Sequence, residues 1–495
     1  MELGRALQAY HEGRLAEAEA TYRQILAATP NDARACHLLG LLLYQTGRTD
    51  DSLTLLRRSV ELGPGIAAYH SNLAGVLGLT GDHEQAAEHL RRAVVLDPNL
   101  PDAHHNLGAA CEFLGRLEDA VKAHREALRL RPEYPEAHNH LGNVLRKLGR
   151  IREAVDCHRR AIVLRPEYAE AYGSLAAALA QQGDQEGVVA CHRKAVALQP
   201  GAAASHSALL YSLHYHPAST PRMLLDEARQ WVRHHATGPP VVQGRHGNDR
   251  DPDRRLRVAY LSPDFRDHTV PRLIAPVLVA HDRSQVEVFC YASVRQPDHV
   301  TDRLRSMADA WRDISRLPDP DAADLIRRDR IDILVELAGH WAGNRMTLMA
   351  RKPAPVQVQI GYPGTTGLEA IEYRITDPYS DPPGLTDDYF TERLVRLPEC
   401  GWCYEPDPNG PEVAPLPALS TGHVTFGCLN NPFKVTDRTL LLWSRILAAV
   451  DRSRLMLMSA EGFEDEALRS RFRRLAIDQG RVDPVRRLRR DGYLA

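Results

Sequence analysis

The stretch "NLGAACEFLGRLEDAVKAHREALRLRPEYPEAHNHLG", residues 106–142, holds one complete period of the sequence and the start of the next. Leu107–Gly108 returns as Leu141–Gly142, 34 residues on, and Gly115, Ala120 and Pro132 between them have counterparts at the same spacing. Prolines stand at 30, 64, 98, 132, 166 and 200, and glycines at 13, 47, 81, 115, 149 and 183. The leucine–small pair recurs at Leu39–Gly40, Leu73–Ala74 and Leu175–Ala176, and another register carries Ala18, Ser52, Ala86, Ala154 and Val188. A fixed period of this kind predicts a stack of antiparallel helix pairs. The small residues let two helices approach, the glycine permits the turn between them, and the proline ends the second helix because it cannot continue the hydrogen-bond ladder.

The pattern resembles the tetratricopeptide repeat and predicts a repeat array over 1–202. Such arrays stack into a superhelix whose concave face binds extended partners. Just before the leucine register stand Leu38, Asn72, Asn106, His140 and Ser174. Asn72, Asn106 and His140 are therefore candidates for a peptide groove, because an amide side chain can hydrogen-bond any peptide backbone. The competing reading is an ordinary polar helix face. His124, His158 and His192 invite a metal assignment, but their spacing of 34 makes them equivalent packing positions in successive repeats, and no metal is expected. Beyond Pro200 the period fails. Residues 203–237 read as helices capping the array, and 238–255, rich in glycine, proline and charge, as a linker.

With 62 basic and 64 acidic residues, nothing in the overall charge draws the chain toward nucleic acid or an anionic membrane. The first residues, "MELGRALQAYHEGRL", show no basic stretch followed by an apolar one, and no apolar run approaches the length of a membrane span, so the expectation is a cytoplasmic protein. The eight scattered cysteines fit reduced thiols, and Cys400 and Cys403 form a lone C-x-x-C without a second pair.

From 256 onward short β-branched runs alternate with helical ones. The candidate strands are "LRVAYLS", "VEVFCYA", "IDILVEL", "PVQVQI", "EYRIT" and "RLVRLP". This alternation predicts a parallel sheet over 256–410 with ligands at the carboxyl ends of its strands. A second unit of the same type starts at "HVTFGCL", giving two Rossmann-like units that would face each other across a cleft, the second spanning 421–495. Asp319 and Asp321 spell D-x-D, but within "RLPDPDAADL" they read as a loop and helix start rather than a metal-bound nucleotide site.

Tetratricopeptide repeats followed by "YLSPDFRDHTVPRLIAPVL", "LAGHWAGNRM", "RKPAPVQVQIGYPGTTG" and "CLNNPFKVTDRTLLLWSRIL" resemble the bacterial relatives of protein O-GlcNAc transferase. The resemblance implies a two-Rossmann (GT-B type), inverting, metal-independent transferase. It would need no cofactor and would move N-acetylglucosamine from UDP-GlcNAc to serine or threonine hydroxyls of proteins recruited by the repeats. His268 of "DFRDH" matches the family histidine beside the reacting groups. Lys434 matches the lysine that reaches the UDP phosphates, and Asn431 falls at the donor-side amide. Only five of the 62 basic residues are lysines, which sets Lys434 apart, since a compact ammonium enters among pyrophosphate oxygens where a planar guanidinium demands another geometry. Thr365 and Thr366 of "GYPGTTG" are candidates for a turn whose N–H groups face an anion, or for a turn whose hydroxyls satisfy its own backbone. His340 and Asn344 are weaker candidates for the cleft wall.

The chain departs from the family pattern. Its second unit has about 75 residues where a complete half needs roughly twice that, and the later N-G-H-T-T-like donor motif does not occur. Trp341 stands where the family has a small or hydroxyl residue, and "VQVQIGYPG" is one residue short. These departures predict weak UDP-GlcNAc binding, little transfer, and an exposed apolar side on "LLLWSRILAAV". They also keep open a second reading, a non-catalytic repeat scaffold with a degenerate transferase remnant.

Overall fold

The computed structural model describes residues 2–236, 246–404, 412, 414–459 and 466–486. Fourteen helices come first: α1 (Glu2–His11), α2 (Leu15–Ala28), α3 (Ala33–Gln45), α4 (Thr49–Leu62), α5 (Ala67–Thr80), α6 (His83–Leu96), α7 (Pro101–Phe113), α8 (Leu117–Leu130), α9 (Pro135–Lys147), α10 (Ile151–Leu164), α11 (Ala169–Gln182), α12 (Gln185–Leu198), α13 (Ala203–Leu213) and α14 (Pro221–His235). The second helix of every repeat stops two residues before its proline, and all six period glycines adopt positive φ. Asp32, Asp82 and Asp184 cap α3, α6 and α12 through their carboxylates. The small-residue register does what its spacing requires: a Cβ on Gly108 would sit 2.6 Å from the ring of His124, and one on Gly142 2.6 Å from His158.

Two compact units result, Met1–Ala178 and Leu179–Ala495. In the second unit a seven-stranded, wholly parallel sheet is ordered β3-β2-β1-β4-β5-β6-β7. Its strands are β1 (Leu256–Ser262), β2 (Val286–Ala292), β3 (Ala310–Asp313), β4 (Ile333–Glu336), β5 (Val356–Ile360), β6 (Tyr373–Thr376) and β7 (Arg393–Arg396). Between them run α15 (Thr269–Ala280), α16 (His299–Arg305), α17 (Asp319–Arg328) and α18 (Met346–Met349). Alternate strand residues feed two cores. Val258, Tyr260, Val288 and Val335 pack with Ile274 and Leu278 of α15, and Ala259, Leu261, Phe289 and Leu334 pack with Ala322 and Ile326 of α17. Burial on both faces explains why the strands read as apolar runs rather than as alternation.

The segment expected to cap the array over 203–237 packs on two sides: Leu209 and Leu213 of α13 and Leu224 of α14 lie with Val189 and Val196 of α12, and α14 also enters the sheet core. Trp231 of α14, 1 % exposed, lies in the same core as Ala259 and Leu261, with Ala203 and Val232 packed against it. The periodicity of the repeats carries no information about a partner more than 20 residues downstream, and the sheet offers the larger apolar face. The linker is corrected. Residues 238–245 lie outside the described residues, but from 246 the chain is bound to the sheet unit: Asn248 Nδ2 donates to Asp332 Oδ1 at 2.6 Å, and Arg254 donates to the same carboxylate at 2.7 Å. Asp319 begins α17 and is paired with Arg345, as its reading as a helix start implied.

After α19 (Pro417–Thr421) comes a three-stranded parallel sheet ordered β10-β9-β8, built from β8 (Thr425–Cys428), β9 (Arg454–Ser459) and β10 (Val482–Arg486), with α20 (Asp437–Ala449) and α21 (Glu466–Arg474). Leu440 and Leu447 face its core, while Leu441, Leu442 and Ile446 are exposed, the apolar side anticipated for this helix.

Candidate active site

The strand order of the large sheet reverses between β1 and β4, the place where the loops leaving neighbouring carboxyl ends diverge and ligands bind in such folds. Pairing in register brings Leu261 opposite Glu336. Beyond β1 the Ser262 hydroxyl accepts the Asp264 N–H at 2.9 Å and holds that carboxylate, 3 % exposed, under the loop. His268 caps α15, its Nδ1 accepting the Val270 N–H at 3.4 Å and standing 3.7 Å from Asp264 Oδ2. Both contacts fall on Nδ1, so Nε2 faces outward with no partner among the described residues. With Nδ1 accepting an N–H, the neutral ring carries its proton on Nε2, which can donate to the oxygen of a bound hydroxyl and orient it.

Glu336 ends β4, 1 % exposed, and accepts the N–H groups of Ala338 at 2.8 Å and Gly339 at 2.6 Å. Burial pushes its carboxyl up to about 8, the two N–H donors oppose that, and the neighbouring Asp264 adds to it. Gly339, at φ +55°, lets the loop fold tightly over Tyr362, whose ring a Cβ would meet at 2.2 Å.

Four residues expected at the ligand face inward instead. Thr365 and Thr366 are 3 % and 0 % exposed. The anion their turn faces belongs to the chain: Glu392 accepts the Thr366 N–H at 2.7 Å, the Thr365 hydroxyl at 2.7 Å, and the Thr366 hydroxyl. Thr365 Oγ1 also accepts the Gly367 N–H at 3.1 Å, so the self-satisfied turn is the reading that holds. His340, 1 % exposed, links the Ser207 hydroxyl at 3.1 Å to the Thr366 carbonyl at 2.9 Å and does not line a cleft. Asn344 closes its own loop, donating to the Trp341 carbonyl at 2.8 Å and accepting the Met346 N–H.

Lys434 lies in a 3-10 turn, Pro432–Lys434, two residues before Thr436, which caps α20. The side chain is exposed and has no partner among the described residues, beside a helix N-terminus whose free N–H groups favour an anion. Asn431 supports the turn by accepting the Phe433 N–H at 3.0 Å. Gln185 of α12 donates to the Phe433 carbonyl at 2.8 Å. A run of rings then leads from this turn to the β4 loop. Phe433 lies 4.9 Å from Tyr215, Tyr215 is 5.2 Å from Tyr211, and Tyr211 meets Trp341 edge-on at 4.3 Å. Trp341 therefore joins the two sheets' loops through α13 instead of disturbing them. β5 pairs with both neighbours along its length, so the missing residue before Gly361 leaves the sheet intact.

In the first unit Asn72 donates toward His37 Nε2 at 2.8 Å. Asn106 is half-buried without a side-chain partner among the described residues, and His140 turns toward Glu112. Asp264, Glu336, Glu392 and Gln185 were not singled out from sequence. Only Glu336 carried a signal, as an acid closing an otherwise apolar strand.

The two-sheet α/β unit thus follows a stack of helical repeats. Residues 242–403 match glycosyl transferase family 41, residues 79–112, 114–149 and 142–183 match the TPR repeat, and residues 9–74 match the tetratricopeptide repeat. A solved structure of a Thermobaculum terrenum O-GlcNAc transferase mutant is similar with a TM-score of 0.71 and 32% identity, over 79% of this chain and 75% of that one. The chain belongs to glycosyl transferase family 41. Among curated relatives, the Petunia hybrida protein named as a probable UDP-N-acetylglucosamine–peptide N-acetylglucosaminyltransferase SPINDLY is 43% identical over 48% of this chain. The Arabidopsis thaliana SEC protein, named for the same activity, is 34% identical over 50% of it. The matched segments span about a quarter of those relatives' length, 26% and 25%.

Proposed function

We propose that the chain serves glycosyl transfer from UDP-GlcNAc to serine or threonine hydroxyls of a protein acceptor, with the repeats recruiting that acceptor. Two observations support this: His268 stands 3.7 Å from Asp264 where the strand order switches, and Lys434 is exposed just before the N-terminus of α20. The acceptor oxygen bonds to the anomeric carbon on the face opposite the leaving group, and the carbon–oxygen bond to the diphosphate breaks. His268 Nε2 is placed to donate to the acceptor hydroxyl and orient it, the hydroxyl's own proton passing to solvent as the new bond forms. The charge left on UDP falls where Lys434 and the first N–H groups of α20 stabilise it. No cofactor is required, and the fit of Lys434 to a diphosphate stands in for a metal at the donor.

Calorimetry with UDP on the full chain, beside Lys434→Ala and His268→Ala, tests the reading. We expect measurable UDP binding that weakens at least about tenfold in Lys434→Ala, the loss of one charge-assisted contact. His268→Ala is expected to leave UDP affinity unchanged while lowering transfer of labelled N-acetylglucosamine to protein by about 100-fold or more. UDP binding indifferent to Lys434, or no binding at all, would overturn it.

A further inference from the structure

Residues 105, 112, 124 and 140, on three successive helices of the repeat unit, make a cluster that no other repeat reproduces. His124 of α8 is fully buried, and neither ring nitrogen has a hydrogen-bond partner. His105 of α7 and His140 of α9 flank it with ring centroids 5.2 and 5.9 Å away, 5.1 Å from each other, and Nδ1 of each is likewise unpartnered by a hydrogen bond. Glu112 of α7 completes the group, its Oε2 3.8 Å from His140 Nδ1. One ligand atom each from Glu112, His124 and His140 lie within 4.8 Å of one another.

The 34-residue register supplies an internal control. One repeat on, the equivalents of His105, Glu112, His124 and His140 are Asn139, Arg146, His158 and Ser174. There the buried histidine is served by a hydrogen bond, His158 Nδ1 to Asn139 Oδ1 at 3.0 Å. One repeat earlier the position of His124 is Leu90 and that of His105 is Ser71, an apolar packing site. Packing alone accounts for a leucine at 90, and an asparagine accounts for the histidine at 158. Neither accounts for an imidazole at 124 whose nearest polar neighbours are two more imidazoles and a carboxylate.

We infer that Glu112, His124 and His140 bind a divalent cation of the zinc class, with His105 beside them as a further imidazole donor. Imidazole and carboxylate ligands suit such ions, whereas calcium and magnesium take all-oxygen sets. Binding at about 2.0–2.1 Å from each nitrogen asks the side chains to draw together. Two cations compete. Lys147 donates to Glu112 Oε1 at 2.8 Å, and Arg146 lies close enough to interact with the same carboxylate. The site is structural in kind, cross-bracing α7, α8 and α9, and takes no part in the proposed transfer.

The test is titration of the chelator-stripped full chain with Zn2+ by calorimetry and with Co2+ by visible absorption. His140→Gln, Glu112→Gln, Lys147→Ala and His124→Phe are run in parallel, the last retaining a ring against Gly108. We expect one high-affinity equivalent and a ligand-field spectrum with Co2+. Affinity should fall at least about tenfold in His140→Gln and Glu112→Gln, since losing a direct ligand costs no less than losing a supporting one, and should rise in Lys147→Ala. Circular dichroism confirms that each variant is folded. Absence of a stoichiometric site, or binding that survives His140→Gln, Glu112→Gln and His124→Phe unchanged, would overturn the assignment.

Discussion

A single carboxylate, that of Glu392, accepts the hydroxyls of Thr365, Thr366 and Thr391 and the Thr366 N–H, and is itself buried. Replacing it by alanine leaves the Thr366 N–H and hydroxyl without this acceptor, and each buried unsatisfied group costs about 1–3 kcal/mol. We expect Glu392→Ala to lower stability by about 3 kcal/mol or more in chemical denaturation, and Glu392→Gln, which keeps one acceptor oxygen, to lose less. The sequence "GYPGTTG" spelled the turn correctly but not what the turn embraces, because Glu392 lies 26 residues away along the chain. His268 and Lys434 were singled out through the family resemblance; the structure places His268 at the cap of α15 and Lys434 two residues before the cap of α20. Residues whose role rests on burial, such as Asp264 and Glu336, were not legible, because nothing in a strand's composition tells which of its ends lies under a neighbouring loop.

At the level of elements, every repeat helix follows from the period, since each contact it needs recurs within about one repeat. Strands β3 and β10 escaped notice for opposite reasons: "AWRD" is a four-residue edge strand with no apolar run, and "VDPVR" carries a proline at a sheet edge, where no ladder donor is needed. Helices α13 and α14 show the same limit at longer range. Trp231 packs into the sheet core and donates its Nε1–H to the Ala203 carbonyl at 3.1 Å. Truncating so large a side chain at a fully packed site costs about 3–5 kcal/mol. Trp231→Ala should therefore accelerate amide exchange throughout β1, β4 and α17 while leaving exchange in α3 to α8 unchanged. Equal acceleration in both groups would return α14 to the role of a repeat cap.

Considered whole, the molecule stores acid sensitivity in its buried histidines, those of the repeats and also His214 and His340, which burial holds at about 4. Burial holds His37, His105 and His158 down at about 4 and His124 at about 3, each well below the ordinary value of about 6.5. The unfolded chain thus takes up protons first as pH falls. The stability these groups leave intact above about pH 6.5 is lost progressively toward pH 3–4, by up to about 3 kcal/mol each. A far-ultraviolet melt at pH 4.5 should show the helical transition well below its position at pH 7.5, and His158→Phe should narrow the gap. Unchanged midpoints would mean that these rings are wetter than their surroundings imply.

The bonds of α13 to distant loops bear on how the polypeptide is made. Ser207 meets His340 133 residues later and His214 meets Tyr362 148 residues later, whereas a repeat helix meets its neighbours almost at once. At about 5–20 residues per second, a ribosome needs on the order of ten seconds to deliver those partners. The repeats emerge able to fold as they leave the exit tunnel. The segment 203–236 emerges next with its greasy side unclaimed, and it is there, during translation, that a nascent chain of this protein most needs a chaperone's hold.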